Sequence, residues 1–251
     1  MATLARPPIS IKSERMFFSC IAIVMALTAF VAFAPTYYLL PYMQTTTVRG
    51  VAGGASLSPL VHLHGIVFST WMLLFVVQTS LIAAHRRDIH RVTGTIGLLL
   101  AAAIAVVGPL TAIEAARHGS SPPGWDDKAC LLVPITSILL FAGFTVAGYL
   151  HRRRPDYHKR LMLLGTMAMM VPALSRIVRM TDPPFLRFGV FGALVVLNLY
   201  LLALVVFDLG RNGRLHRVTM WGIAIFLVTW PTRLLLGSSE PWQAFARTLI
   251  G

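Results

Sequence analysis

The sequence predicts an all-α membrane protein, a bundle of seven transmembrane helices with the N-terminus inside and the C-terminus outside. Three observations predict it. The 251 residues are 56% hydrophobic and only 12% charged, where a soluble domain carries about 25% charged residues. Several apolar runs are about twenty residues long, enough to cross a hydrocarbon core roughly 30 Å thick. The cations gather in the gaps between those runs, where membrane topology puts them. The net charge of +13 could suggest nucleic acid. Cations confined to inter-helix gaps are explained by topology instead, and no nucleic-acid partner is expected.

The first span is expected at about 16–40, led in by Arg6, Lys12 and Arg15. Tyr37, Tyr38 and Tyr42 stand at its far end, as interfacial aromatics do. Ala32-Phe33-Ala34 has the small-x-small form of a signal-peptidase site. Pro35 follows directly and the apolar run is long, so the span is read as retained. A Gly- and Thr-rich loop leads to the second span, 60–83, which opens on VHLHG. A basic island, AHRRDIHRVTG, precedes the third span, 92–115. A loop with His118, Ser-Pro-Pro-Gly and Asp126-Asp127-Lys128 leads to the fourth, 129–150. A second island, LHRRRPDYHKRL, precedes the fifth, 161–179, and the turn TDPPFLRF precedes the sixth, 188–207. A third island, RNGRLHRVTM, precedes the seventh, 218–237. The tail SSEPWQAFARTLIG reads as an interfacial amphipathic segment, and the whole of 1–251 as one transmembrane helical domain.

Orientation follows from the islands. With the N-terminus inside, the leader and the three islands hold fourteen of the 22 cations. An odd number of spans is then required to keep every island on one side. His90, His158 and His216 recur at similar spacing, and HRVT occurs twice. Shared topology accounts for most of this recurrence.

A helix that begins at the inner interface offers free N–H groups and the positive end of its dipole. Arg91, Lys159, Arg160 and Arg217 sit there and are expected to meet the anionic head groups of the lipid bilayer. Asp88, Asp156 and Asp208 are expected to pair locally or to cap helices. His90, His158 and His216 are weak candidates for metal ligands, being interfacial and crowded by cations.

The opposite ends of the spans hold the less usual residues. Arg176 and Arg179 share a face of the fifth span, three residues apart. Arg187 opens the sixth, and Arg233 lies inside the last part of the seventh. Basic groups within a span are costly unless paired or wet. Glu114 ends the third span, and His62 and His64 open the second, about 200° apart on a helix. Arg176, Arg179, Arg233, Glu114, His62 and His64 together suggest a water-filled outer pocket for a small anionic or lipid-like ligand. The competing reading is snorkelling arginines with a Glu114–arginine ion pair. Gln78 and Asn198 are the expected interhelical hydrogen bonders. The methionines of the fifth span read as soft packing rather than a copper path. Cys20 and Cys130 fall in opposite leaflets, which makes a disulfide between them geometrically unfavourable.

The segments LHGIVFSTWMLLFVVQTSLIAAHRRDIHRVTGTIG, RRRPDYHKRLMLLGT and GRLHRVTMWG resemble a family of uncharacterised (hypothetical) bacterial multi-pass inner-membrane proteins. The resemblance runs from about His64 to Trp242 and implies location in a bacterial inner membrane and span order, with no catalytic residues. The outer-side polar set, not the resemblance, gives the expected function: binding of a small anionic or lipid-like molecule on the outer side, for transport or sensing. The alternatives are a redox component holding haem b or a metal, with His62 or His64 set against His118, and an accessory subunit of a membrane complex. No catalytic constellation is identified.

Overall fold

The computed structural model describes residues 11–42, 57–119, 121, 125–181 and 190–251. Among them no strand occurs. The helices are α1 (Ile11–Phe33), α2 (Pro59–Ala83), α3 (Arg87–Arg117), α4 (Asp127–Leu150), α5 (Pro155–Ala168), α6 (Val171–Thr181), α7 (Val190–Asn212), α8 (Arg217–Gly237) and α9 (Glu240–Ile250). Six are long and apolar enough to cross a membrane, and α5 with α6 makes a seventh if the bent pair is one span. This is the architecture of a multi-pass membrane protein. Arg187 and the loop 43–56 lie outside the described residues.

Local chemistry sets the helix starts. Ser58 caps α2 by accepting from the Val61 N–H at 3.2 Å, with Pro59 next. Asp126 caps α4 through the Ala129 N–H at 2.8 Å. The Gln243 amide and that N–H hold the Asp126 carboxyl below the usual carboxylate range. His216 caps α8, its Nδ1 accepting from the Val218 N–H at 3.2 Å. α3 and α5 begin five or six residues before the expected spans, inside the islands, because the island residues carry on the helical hydrogen bonding outside the apolar run.

The expected fifth span is the element that departs most from a straight helix. α5 and α6 meet at a 51° bend. Met169 N–H bonds to Thr166 O and Met170 N–H to Met167 O, so the last turn of α5 tightens to a three-residue step. Pro172 lacks the N–H that would continue the ladder. α6 restarts with Leu174 N–H on Met170 O.

The bent pair is also the centre of the bundle. Leu163, Leu164, Met167, Met170 and Leu174 are fully buried. α5 is wrapped by α4, α8 and α1, while α6 lies against α1 and α7. The surrounding helices expose apolar side chains outward, such as Leu27, Leu99, Val106, Leu202 and Leu235, as a lipid-facing surface requires. α9 folds back on α3, α4 and α8. Its Trp242 Nε1 donates to Lys128 O at 2.7 Å, and Arg117 donates to Leu249 O.

Candidate functional site

The start of α1 and the three basic turns meet at one end of the bundle. Arg15 reaches His85, at the end of α2, at 2.6 Å. Glu14 is clasped by Lys159 of α5 and Arg211 of α7. Lys159 also holds Asp156 at 2.5 Å. Beside this lies a buried centre. Arg160 is 1% exposed and its ion-pair partner Asp208 is 0% exposed. Arg160 Nε donates to Asp208 Oδ1 at 3.1 Å and Nη1 donates to Asp156 O at 2.9 Å. The other oxygen, Asp208 Oδ2, accepts from Thr219 at 2.5 Å and from the His216 N–H at 3.1 Å. Four helices are tied here: α1, α5, α7 and α8.

This corrects two expectations. Arg160 does not face lipid head groups, because its guanidinium is sealed onto Asp208. Lys159 is not a free head-group cation, because two carboxylates share its ammonium. Arg91 and Arg217 are exposed at the same end. Thr219 gives its hydroxyl to Asp208, across to α7, whereas Thr93 bonds back within its own helix, to Ile89 O at 2.8 Å.

The three histidines divide. His90 and His158 approach each other with ring centroids 6.1 Å apart. His216 stands against Tyr157, 4.9 Å between ring centroids. Burial, then the nearby Arg160 charge, hold the His216 imidazole below its usual range. His216 does not join the other two. Among the described residues no group of three or more His, Cys, Asp and Glu side chains is placed to hold a metal ion.

At the opposite end the expected six-residue set also divides. Arg176 is half-buried on α6. Its guanidinium lies 4.3 Å over the Phe33 ring, and Nη1 donates to Pro172 O at 3.1 Å. No acid pairs with it among the described residues. Its charge acts on the His64 ring of α2, and the like charge of Arg179 acts on it. His64 stacks on Phe68 at 4.0 Å, and its Nδ1 is buried with no hydrogen-bond partner. Arg179, one turn on, is exposed. Gly65, after His64, lies so close to the Tyr37 ring that a Cβ there would overlap it. Tyr37 donates to His62 O at 3.3 Å, and Tyr38 is bonded to Ser69. The aromatic end of the first span therefore closes over the start of α2.

The rest of the expected pocket is corrected. Arg233 is 6% exposed, and its guanidinium is directed into α4, where Nε donates to Thr136 at 2.6 Å and Nη2 to Ser137 at 3.0 Å. Neutral hydroxyls hold this arginine, not Glu114. Glu114 makes no ion pair among the described residues, and its carbonyl accepts from His118 Nδ1 at 2.8 Å. The Glu114–arginine pair of the competing reading is therefore absent there as well. His62 is exposed, with its ring against Tyr37 at 5.8 Å between centroids. Gln78 bonds across to Thr93 at 2.6 Å, whereas Asn198 is exposed on α7. Trp71 with Thr166 and Thr28 with Tyr200 make further bonds between helices.

What remains together is His64 and Arg176, with Phe33 and Phe68 beneath them and Arg179 at the edge. Arg176, without an acidic partner among the described residues, and the unbonded imidazole nitrogen of His64 can each receive an acceptor oxygen, and the arginine one that brings its own negative charge. No protein-family model, curated protein or solved structure gives a significant match to this chain.

Proposed function

We propose that the chain is a multi-pass protein of a bacterial inner membrane, with the basic turns on the inner side. In this reading it binds a small anionic or lipid-like molecule at the opposite end, for transport or sensing. The single observation that carries it is that half-buried Arg176 has no acidic partner among the described residues while the buried His64 Nδ1, on which its charge acts, is unbonded. An arginine inside a span is expensive without a partner, and a buried polar atom left unbonded costs roughly 1–3 kcal/mol. One carboxylate or phosphate would relieve both. The aromatic rings of Phe33 and Phe68 supply apolar contact for the body of such a molecule.

The test is a thermal-shift screen of the detergent-purified protein against fatty acids, lysophospholipids and small dicarboxylates. One class is expected to raise the melting temperature of the wild type, and Arg176→Ala to abolish that rise. Arg233→Ala is expected to lower the baseline melting temperature, because α4 loses two hydrogen bonds, and to keep the ligand-induced rise. A screen in which no class shifts the wild type, or in which Arg176→Ala shifts equally, overturns the reading. A Soret band in the purified protein would replace it with the haem b alternative.

A further inference from the structure

We propose that the outward face of α7 is where two copies of this chain meet in the membrane, held by a hydrogen bond between the Asn198 side chains of the two copies. Asn198 is exposed on α7. The apolar part of this span runs from Gly192 to Asn212, so the amide stands about 9 Å from one end and about 21 Å from the other. That depth lies inside a hydrocarbon core roughly 30 Å thick, where no water reaches an unpaired polar group. A hydroxyl in a span can turn back onto its own helix, as Thr229 and Thr232 of α8 do at 2.6 and 2.7 Å. Asn198 makes no hydrogen bond among the described residues.

An amide offers donors and an acceptor at once, so it can satisfy a second amide. Copies inserted in one orientation are related by a two-fold axis along the membrane normal, which brings each residue to the depth of its own counterpart. Asn198 of one copy then meets Asn198 of the other without any shift of register. Side-chain hydrogen bonds of this kind join helices in lipid.

The surroundings suit a second helix. Val195, Leu199, Leu202, Val206 and Leu209 are exposed on α7, at the three- and four-residue steps of a seam between helices. Together with Asn198, which stands at the edge, they span an arc of about 100°. Any lipid-facing strip shows such steps, and the unbonded amide is what sets this one apart. Toward α1 the strip falls into an apolar groove of about 730 Å³, where Phe17, Ala203 and Gly210 lie beside the leucines. A ridge next to a groove is self-complementary, since the ridge of each copy enters the groove of the other. Charge does not oppose the contact: Asp208 is buried onto Arg160, and Arg211 is bound to Glu14. An acyl chain also fits the groove but offers the amide no partner, which favours a second copy over lipid.

The experiment reads energy transfer between full-length chains, labelled at the N-terminus with donor or acceptor, in phosphatidylcholine–phosphatidylglycerol liposomes over a range of protein-to-lipid ratios. The wild type is expected to dimerise. Asn198→Leu is expected to weaken association about tenfold, and Asn198→Gln, which keeps an amide, to retain most of it. In a background without Cys20 and Cys130, Leu202→Cys is expected to form a disulfide-linked dimer on oxidation. Leu139→Cys, on the exposed face of α4, is expected to stay monomeric. Should Asn198→Leu fail to fold, the Leu202→Cys cross-link decides. A wild type that stays monomeric, Asn198→Leu associating as the wild type does, or cross-linking through Leu139→Cys and not Leu202→Cys overturns the proposal. Native mass spectrometry showing a monomer with retained phospholipid also overturns it and assigns the groove to lipid.

Discussion

Asp208 shows how one residue can carry a bundle's polar economy. It sits at the end of an apolar run, and its two oxygens take four donors from α5 and α8. Removing one partner of such a pair strands the other, at about 3–5 kcal/mol. Asp208→Ala is therefore expected to lower the melting temperature strongly, and Arg160→Met/Asp208→Leu to recover most of the loss. Comparing the single and double variants by thermal unfolding in detergent checks this; equal losses in both would show that Asp208 matters for something other than its charge. The aspartate was legible as a capping or pairing residue. Its partner was not, because nothing local singles out Arg160 from the four neighbouring cations of its island. Only the fold decides which of them turns inward. The same limit applies to Arg233, whose partners Thr136 and Ser137 look like ordinary span residues in sequence.

At the scale of elements, the bent α5–α6 pair makes the inner contacts that hold the outer helices. Gly222 of α8 is pressed against Leu164 of α5, and a Cβ there would overlap the leucine. Gly222→Ala is expected to cost about 1–3 kcal/mol through overpacking. Leu164→Ala alone leaves a cavity, at about 2–5 kcal/mol. The double variant should cost less than the sum of the two, because the new methyl occupies part of the vacated space. Thermal unfolding of the three variants measures the coupling, and strict additivity would mean that the two helices do not meet there. The break itself was hard to read. Hydropathy runs on through Met169 and Met170, and Pro172 marks only where the ladder is interrupted. The existence of the other spans was legible, since runs of twenty apolar residues have few alternatives. Their ends were less so, because helices extend into charged turns that hydropathy discards.

For the whole molecule, the islands predict orientation and the contacts explain why they belong together. Arg15 with His85, Glu14 with Lys159 and Arg211, and His90 beside His158 join the start of α1 to all three turns. A cysteine placed at Gly213, in a background without Cys20 and Cys130, is expected to resist a membrane-impermeant maleimide in intact cells and to react in inverted vesicles. One placed at Gly251 should do the reverse. The opposite pattern would invert the orientation and move the Arg176–His64 pair to the inner face. The grouping of the islands was thus readable from sequence, and the sharing of work among their cations was not. Some anchor helices in the bundle, and others, Arg91 and Arg217 among them, stay exposed.

The Glu14 clasp has a consequence for synthesis. Lys159 follows Glu14 by 145 residues, and Arg211 follows later still. A ribosome delivers the first helix to the membrane long before either cation exists. Until α7 has been inserted, the acid at the start of α1 lacks one of its two native partners and the clasp at that end is incomplete. Completion of the sixth hydrophobic run is therefore the moment at which a nascent chain can be told from a finished one, and the last helices arrive on a frame that is already fastened.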